Sequence, residues 1–127
     1  MRVLLVDDQA SFRRAARRVL ERLSGFEVAG EVDTGEAAVE AALVLAPDLV
    51  LMDVHLPGMD GPTATSRILD AAVEGVPVIM LLSTYEAADY SSLTVTCGAA
   101  AYLPKADFSA ATLAAAWSAA IATRSDR

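Results

Sequence analysis

Three carboxylates, a hydroxyl and an ammonium stand just past apolar runs in this 127-residue chain. Asp7 and Asp8 follow Arg2-Val3-Leu4-Leu5-Val6, Asp53 follows Leu49 to Met52, Ser83 follows Val78 to Leu82, and Lys105 follows Ala100 to Leu103 and Pro104. Carboxylates crowded into one cleft repel each other and raise one another's pKa. A hard divalent cation relieves that repulsion: Mg²⁺, or Mn²⁺ in its place, takes oxygen ligands, keeps some of its waters and suits one or two carboxylates plus a phosphate. Asp7, Asp8 and Asp53 supply such a set, with the backbone carbonyl of His55 in the Val54-His55 turn as a further oxygen. A carboxylate beside a metal, a Lys and a hydroxyl is a site for accepting a phosphoryl group. Asp53 attacks in line, Lys105 and the metal neutralise the equatorial oxygens, and Ser83 donates a hydrogen bond. No Gly-rich phosphate loop is present, so the chain is not built to hold a nucleotide.

Alone, each of these residues has an ordinary explanation. An Asp after a strand is usually a turn or cap residue, an Asp pair before a helix caps it, and a Ser or a Lys at a strand end is usually solvated. Their joint placement, at four strand ends and always before a loop, is what those explanations leave out. Lys105 is also the sole lysine, every other basic residue being arginine. That points to a position requiring a compact ammonium rather than a guanidinium.

The elements that must place these residues follow from periodicity. Leu49 to Met52, apolar at every position and bounded by Pro47, reads as a strand buried on both faces. Arg2–Val6, Val78–Leu82 and the short Ala100–Leu103 read as further strands. Phe26 to Val32 alternates Phe26, Val28, Gly30 and Val32 against Glu27, Ala29 and Glu31, which predicts a strand nearer the edge. A helix starts at Gln9 or Ser11, with Phe12, Ala16, Val19, Leu20 and Leu23 on one face and Gly25 as its stop. A second opens at Thr34 and runs to Leu45. A third, capped by Asp60 or Gly61 with Pro62 in its first turn, runs to about Ala72. A weak fourth helix, rich in Ser, Thr and Val, spans about Glu86 to Thr96. The last runs from about Ser109 to Thr123 with Leu113, Ala116, Trp117, Ala120 and Ile121 facing inward. Five strands alternating with five helices predict one α/β domain, a doubly wound parallel sheet covered on both faces.

Composition bounds the function. Hydrophobic residues make up 54% of the chain, enough for one sizeable core. A formal net charge of −7 argues against direct binding to nucleic acid. Cys97 is alone and reads as a small core residue. No apolar run reaches the ~20 residues a bilayer requires, and Arg2 leads straight into a strand rather than a signal peptide. A soluble, cytoplasmic protein is expected.

Val6-Asp7-Asp8, Met52-Asp53-Val54-His55-Leu56-Pro57-Gly58-Met59-Asp60-Gly61, Ser83-Thr84 and Tyr102-Leu103-Pro104-Lys105 together resemble the receiver domain of two-component response regulators, over essentially the whole chain. The separations of 30 residues from Asp53 to Ser83 and 22 from Ser83 to Lys105 suit that family. The resemblance implies a flavodoxin-like sheet of order 2-1-3-4-5, with residues 1–124 as the receiver and 125–127 as a tail. It implies that Asp53 takes phosphoryl from a histidine kinase and that Asp7, Asp8 and Asp53 hold Mg²⁺. It also implies that Ser83 and Lys105 sense the phosphoryl group and that Tyr102 turns inward as an aromatic switch. The face made by the fourth helix, fifth strand and last helix then reshapes to bind partners, with homodimerisation one outcome. Such a domain catalyses only its own phosphorylation and dephosphorylation.

Ser83-Thr84-Tyr85-Glu86 and the Leu-Pro-Lys ending resemble the NarL/LuxR-type subfamily, which implies transcriptional output through a DNA-binding helix-turn-helix absent from these residues. On that reading the chain is the N-terminal piece of a longer transcription factor; a stand-alone receiver is the alternative. Thr84, Tyr85 and His55 would modulate the site, His55 by lining the route of the hydrolytic water. The arginines of the first helix, Arg13, Arg14, Arg17, Arg18 and Arg22, would meet acids of the kinase. Two departures stand out: Ala106 follows Lys105 where many receivers have a cis-proline, with Pro104 before it instead, and His55 occupies a variable position two residues after Asp53. The rivals are an aspartyl-nucleophile phosphohydrolase, which needs an acid where His55 stands, and a receiver that signals by binding alone. A flavin-binding domain is a further rival on fold, but it needs a phosphate loop after the first strand.

Overall fold

A computed structural model describes residues 1–72, 75–84 and 97–125. Five parallel strands form one sheet: β1 (Arg2–Val6), β2 (Glu27–Val32), β3 (Leu49–Asp53), β4 (Val78–Ser83) and β5 (Ala101–Pro104), in the order β2-β1-β3-β4-β5. Helices α1 (Ala10–Glu21), α2 (Gly35–Leu45) and α3 (Gly61–Ala71) and a C-terminal helix (Ala110–Ser125) cover it. The fourth predicted helix and Tyr85 lie outside the described residues, so four α-helices are counted among those described, against the five expected.

β3 and β4 are buried at every position, which is why their sequences are apolar up to the closing Asp53 and Ser83. Their alternate side chains feed two cores. Leu4, Val6, Val50, Met52, Ile79 and Leu81 face Ala38 of α2 and Ala64 and Ile68 of α3. Val3, Leu5, Leu49, Leu51, Met80 and Leu82 face Ala16 and Leu20 of α1 and Leu113 of the C-terminal helix. Burying each of these large side chains contributes about 1.5–3 kcal/mol before entropy is counted.

The predicted caps are present. Thr34 Oγ1 accepts from Ala37 N at 3.0 Å and Asp60 Oδ1 from Thr63 N at 2.8 Å. Cys97 is buried, and Trp117 packs edge-on against Phe26 with ring centroids 5.6 Å apart. Two expectations are corrected. Phe26, Val28, Gly30 and Val32 do not share a face. A register shift pairs Val3 with Val28 but Leu4 with Gly30, and this bulge leaves Phe26 and Val28 toward the C-terminal helix while Val32 joins the core under α2. The same flip brings Glu31 to the α1 side. Ile121 is not core: it is exposed and lines an open cavity of about 200 Å³ with Met1, Asp48, Gly75 and Val76, past the rim of the sheet.

Candidate phosphoryl-accepting site

The carboxyl ends of β1, β3, β4 and β5 meet at one rim. Asp7 is placed by its own backbone. Its N–H donates to Val32 O at 3.1 Å, and its Oδ1 accepts from Gln9 N at 2.8 Å. Its carbonyl accepts from Arg13 Nη1 at 2.5 Å. Arg13 also reaches Glu31 at 3.2 Å, and Arg17 pairs with the same carboxylate, which holds Glu31 below its usual pKa.

Asp53 closes β3. Val54 N donates to Leu82 O at 2.9 Å and Gly61 N to Val54 O at 3.0 Å, folding the β3–α3 loop back over the strand end. Gly61 is required by space: a Cβ there would lie 2.1 Å from the carbonyl oxygen of Asp53. Glu36 Oε1 accepts from Met59 N at 2.9 Å and ties the far side of the loop to α2. His55, exposed on this turn, donates its N–H to Asp53 Oδ1 at 3.3 Å.

Asp7 and Asp53 are 2% and 5% exposed, while Asp8 faces solvent. Each of the three offers a carboxylate oxygen, and these oxygens lie within 4.8 Å of one another. Lys105, its side chain only 9% exposed, projects into the cluster, with Nζ 2.6 Å from Asp7 Oδ2 and 3.5 Å from Asp53 Oδ2. Burial pushes the Asp53 carboxyl up from 3.8 to about 6; the Asp7 charge adds to the rise, and Lys105 and the His55 N–H oppose it. Three acids against one ammonium leave an excess of negative charge around buried oxygens. That donor set fits a hard divalent cation.

Ser83 is fully buried at the end of β4, and Thr84 beyond it is exposed. Tyr102 is in register with Leu81 and packs with it on the α2 and α3 side, the face that strand alternation also gives Ser83. Lys105 opens a 3₁₀ turn, Lys105–Asp107, and no cis peptide occurs among the described residues. Arg14, Arg17 and Arg18 are exposed on α1, and Arg22 is exposed just past its end. Sequence reasoning missed Arg13 and Glu31 as supports of Asp7, and it took Phe12 for core alone. Phe12 lies 4.6 Å below the Lys105 ammonium, and its ring meets that of Phe108 at 5.6 Å. Arg13 in the first turn after the acid pair was the available signal; nothing in the sequence links Phe12 to Phe108.

Residues 3–117 match the family described as the response regulator receiver domain. The chain is 41% identical over 106 residues to a protein-glutamate methylesterase/protein-glutamine glutaminase of Alkalilimnicola ehrlichii, covering 83% of this chain and 27% of that protein. A protein of the same description from Hahella chejuensis gives the same identity and coverage. The chain thus spans about a quarter of the length of these curated relatives. Among solved structures it is similar to the response regulator domain of Thermotoga maritima CheB, with a TM-score of 0.74 and 29% identity over 82% of this chain and 77% of that one. It is also similar to a LuxR-family response regulator from an Aurantimonas species, with a TM-score of 0.84 and 30% identity over 96% and 85%. The subfamily expected from the Leu-Pro-Lys ending is therefore not singled out, since curated relatives of another output match this chain at 41% identity. Among the described residues no helix is long and apolar enough to cross a membrane. With the family's extent covering nearly the whole chain and its fold reproduced, this protein belongs to the response regulator receiver domain family.

Proposed function

We propose that the domain accepts a phosphoryl group on Asp53 from the phosphohistidine of a sensor kinase and relays the change to a partner surface. The observation that carries this is the setting of Asp53: a buried carboxylate within 4.8 Å of Asp7 and Asp8 oxygens and 3.5 Å from Lys105. An Asp53 oxygen forms the new bond to phosphorus as the P–N bond to the kinase imidazole breaks, and the imidazole keeps the electron pair. Lys105 balances the equatorial oxygens, and the Ser83 hydroxyl donates to one of them. Asp7, Asp8, Asp53 and the His55 carbonyl would hold Mg²⁺ or Mn²⁺, which supplies charge neutralisation at the transferring group. Tyr102, sharing a face with Ser83, is suited to follow its movement. His55 sits beside the acceptor where water must approach, so its side chain would set how long the acyl phosphate lasts, with exposed Thr84 flanking the same rim.

The output has two readings. The methylesterase relatives, at 41% identity, favour control of an enzymatic domain acting on protein side chains. The similarity to a LuxR-family regulator supports control of transcription through a DNA-binding domain. Identity favours the first. In either case this acidic domain meets proteins, and dimerisation on phosphorylation is a further outcome.

Incubation with acetyl phosphate and Mg²⁺ tests the acceptor. The expected result is a gain of one phosphoryl mass, lost in Asp53→Asn and abolished by chelation. Continuous release of phosphate would instead make the protein a phosphohydrolase, and an unchanged mass would make it a module that signals by binding alone.

A further inference from the structure

The contacts of the Lys105 ammonium among the described residues include Asp7 at 2.6 Å, Asp53 at 3.5 Å and the face of the Phe12 ring, 4.6 Å from its centroid. The two acids hold the ammonium only while their charge is uncommitted. Once a cation is shared among Asp7, Asp8 and Asp53, their pull on Lys105 falls and the cation repels it. The ring differs, because its attraction comes from a fixed quadrupole that neither protonation nor a metal removes.

The ring is itself held from two sides. Phe12 lies in the first turn of α1, packed into the core beneath the C-terminal helix, and meets Phe108 at 5.6 Å with the planes at 53°. Phe108 ends the 3₁₀ turn that Lys105 begins, its N–H donating to Lys105 O at 3.2 Å. Backbone and side chain of Lys105 are thus gripped by one aromatic pair. We propose that Phe12 is a positioning residue for phosphoryl transfer: its face keeps the Lys105 ammonium beside Asp53 when the acid cluster is occupied. The inference rests on the acceptor role argued for Asp53.

The sole lysine makes the test direct, since protein labelled with ε-¹³C lysine gives one side-chain signal. Its ε-protons are expected to be shifted upfield by the ring in wild type and to stay so when Mg²⁺ is added. The shift is lost in Phe12→Leu and kept in Phe12→Tyr. With acetyl phosphate at saturating Mg²⁺, Phe12→Leu is expected to react about tenfold more slowly and Phe12→Tyr near the wild-type rate. Stepwise fluorination of the Phe12 ring, which keeps its shape while draining its face, should lower the rate stepwise. That series carries the test even where Phe12→Leu folds poorly. A rate unchanged across the series, or a ring shift that vanishes on adding Mg²⁺, overturns the proposal. Wild-type protein that takes no phosphoryl at all sinks the acceptor reading instead.

Discussion

The ammonium of Lys105 contacts Asp7 at 2.6 Å, nearer than it comes to the proposed acceptor. Without a metal, then, the lysine is paired chiefly with an acid that a cation must also use. Replacing it separates its two roles. Lys105→Met leaves two buried carboxylates unpaired, which is expected to cost about 3 kcal/mol in metal-free protein. Mg²⁺ should recover most of that loss and should bind more tightly than to wild type, its competitor being gone. Phosphorylation by acetyl phosphate should still fall about 10²-fold, because the charge balancing the phosphoryl oxygens is missing. Thermal unfolding with and without Mg²⁺, calorimetric titration and a phosphorylation time course measure the three effects. Weaker Mg²⁺ binding in the variant contradicts the competition.

Asp53 has a pKa raised from 3.8 to about 6, chiefly by burial and then by Asp7. The folded protein therefore holds a proton at Asp53 that the unfolded chain has released. The stability tied to this proton is fully present below pH ~4 and is lost as pH rises through about 6. The loss amounts to about 3 kcal/mol at most in metal-free protein. Asp53→Asn cannot ionise, so the stability gap between variant and wild type should widen in the variant's favour from pH 4 to pH 7, and Mg²⁺ should close it. Denaturant unfolding at the two pH values checks this. An equal gap at both would show that ionisation of Asp53 carries no such cost.

The meeting of Asp7, Asp8, Asp53 and Lys105 was legible because each follows an apolar run, and a parallel sheet gathers the ends of such runs on one rim. The caps at Thr34 and Asp60 were legible because a short polar side chain before a helix has little else to bond. What escaped the sequence depends on contacts across the fold. Phe12 and Phe108 are far apart in the chain, and helical spacing reports only that Phe12 is inward, not what it meets there. The β2 bulge escaped because its pattern of small and polar residues is satisfied by either face, so Glu31 could not be matched to α1. Lys105–Asp107 is too short a turn to leave a periodic signal. The strand order came from family resemblance, since buried strands carry no mark of their neighbours.

Gly61 is the tightest point in the frame around Asp53. An added methyl would meet the Asp53 carbonyl oxygen at 2.1 Å and the Val54 Cα at 3.0 Å, both backbone atoms that can retreat only by moving the strand end. Gly61→Ala is expected to cost about 3 kcal/mol and to abolish phosphorylation by displacing the acceptor. Gly25→Ala is the control. Its φ of +87° makes it strained, at about 1 kcal/mol, but nothing lies within 4 Å of the new methyl and phosphorylation should be untouched. Chemical denaturation and mass spectrometry decide between loss at both sites and loss at one.

Arg13 and Arg17 share Glu31 but differ in what else they hold. Arg13 is the more buried and also donates to the Asp7 carbonyl at 2.5 Å, whereas Arg17 is 45% exposed and pairs with Glu31 alone among the contacts described. Arg13→Ala is expected to cost about 1.5 kcal/mol and to keep most of that cost in high salt, since a shielded hydrogen bond to a backbone carbonyl is lost. Arg17→Ala should cost about 0.5 kcal/mol, vanishing in salt. Unfolding at low and high ionic strength distinguishes them; equal and equally screened losses would reduce Arg13 to a surface ion pair.

Arg14 and Arg18 stand one turn apart on the exposed side of α1, the helix that starts at the rim of the proposed acceptor site. On a domain of net charge −7, an exposed run of arginines is a local reversal of sign. Opposed charges across an encounter surface raise the association rate, and rim charges act there more than on the bound state. Reversing both, Arg14→Glu with Arg18→Glu, should slow transfer from a phosphorylated histidine kinase by about tenfold or more at low salt, with the deficit shrinking as salt rises. Acetyl phosphate needs no docking surface, so its reaction with the variant should match wild type. Kinetics with both donors across a salt series is the measurement. An equal deficit with kinase and acetyl phosphate would mean that the arginines act on the acceptor site itself, through α1 and Asp7, rather than on a partner.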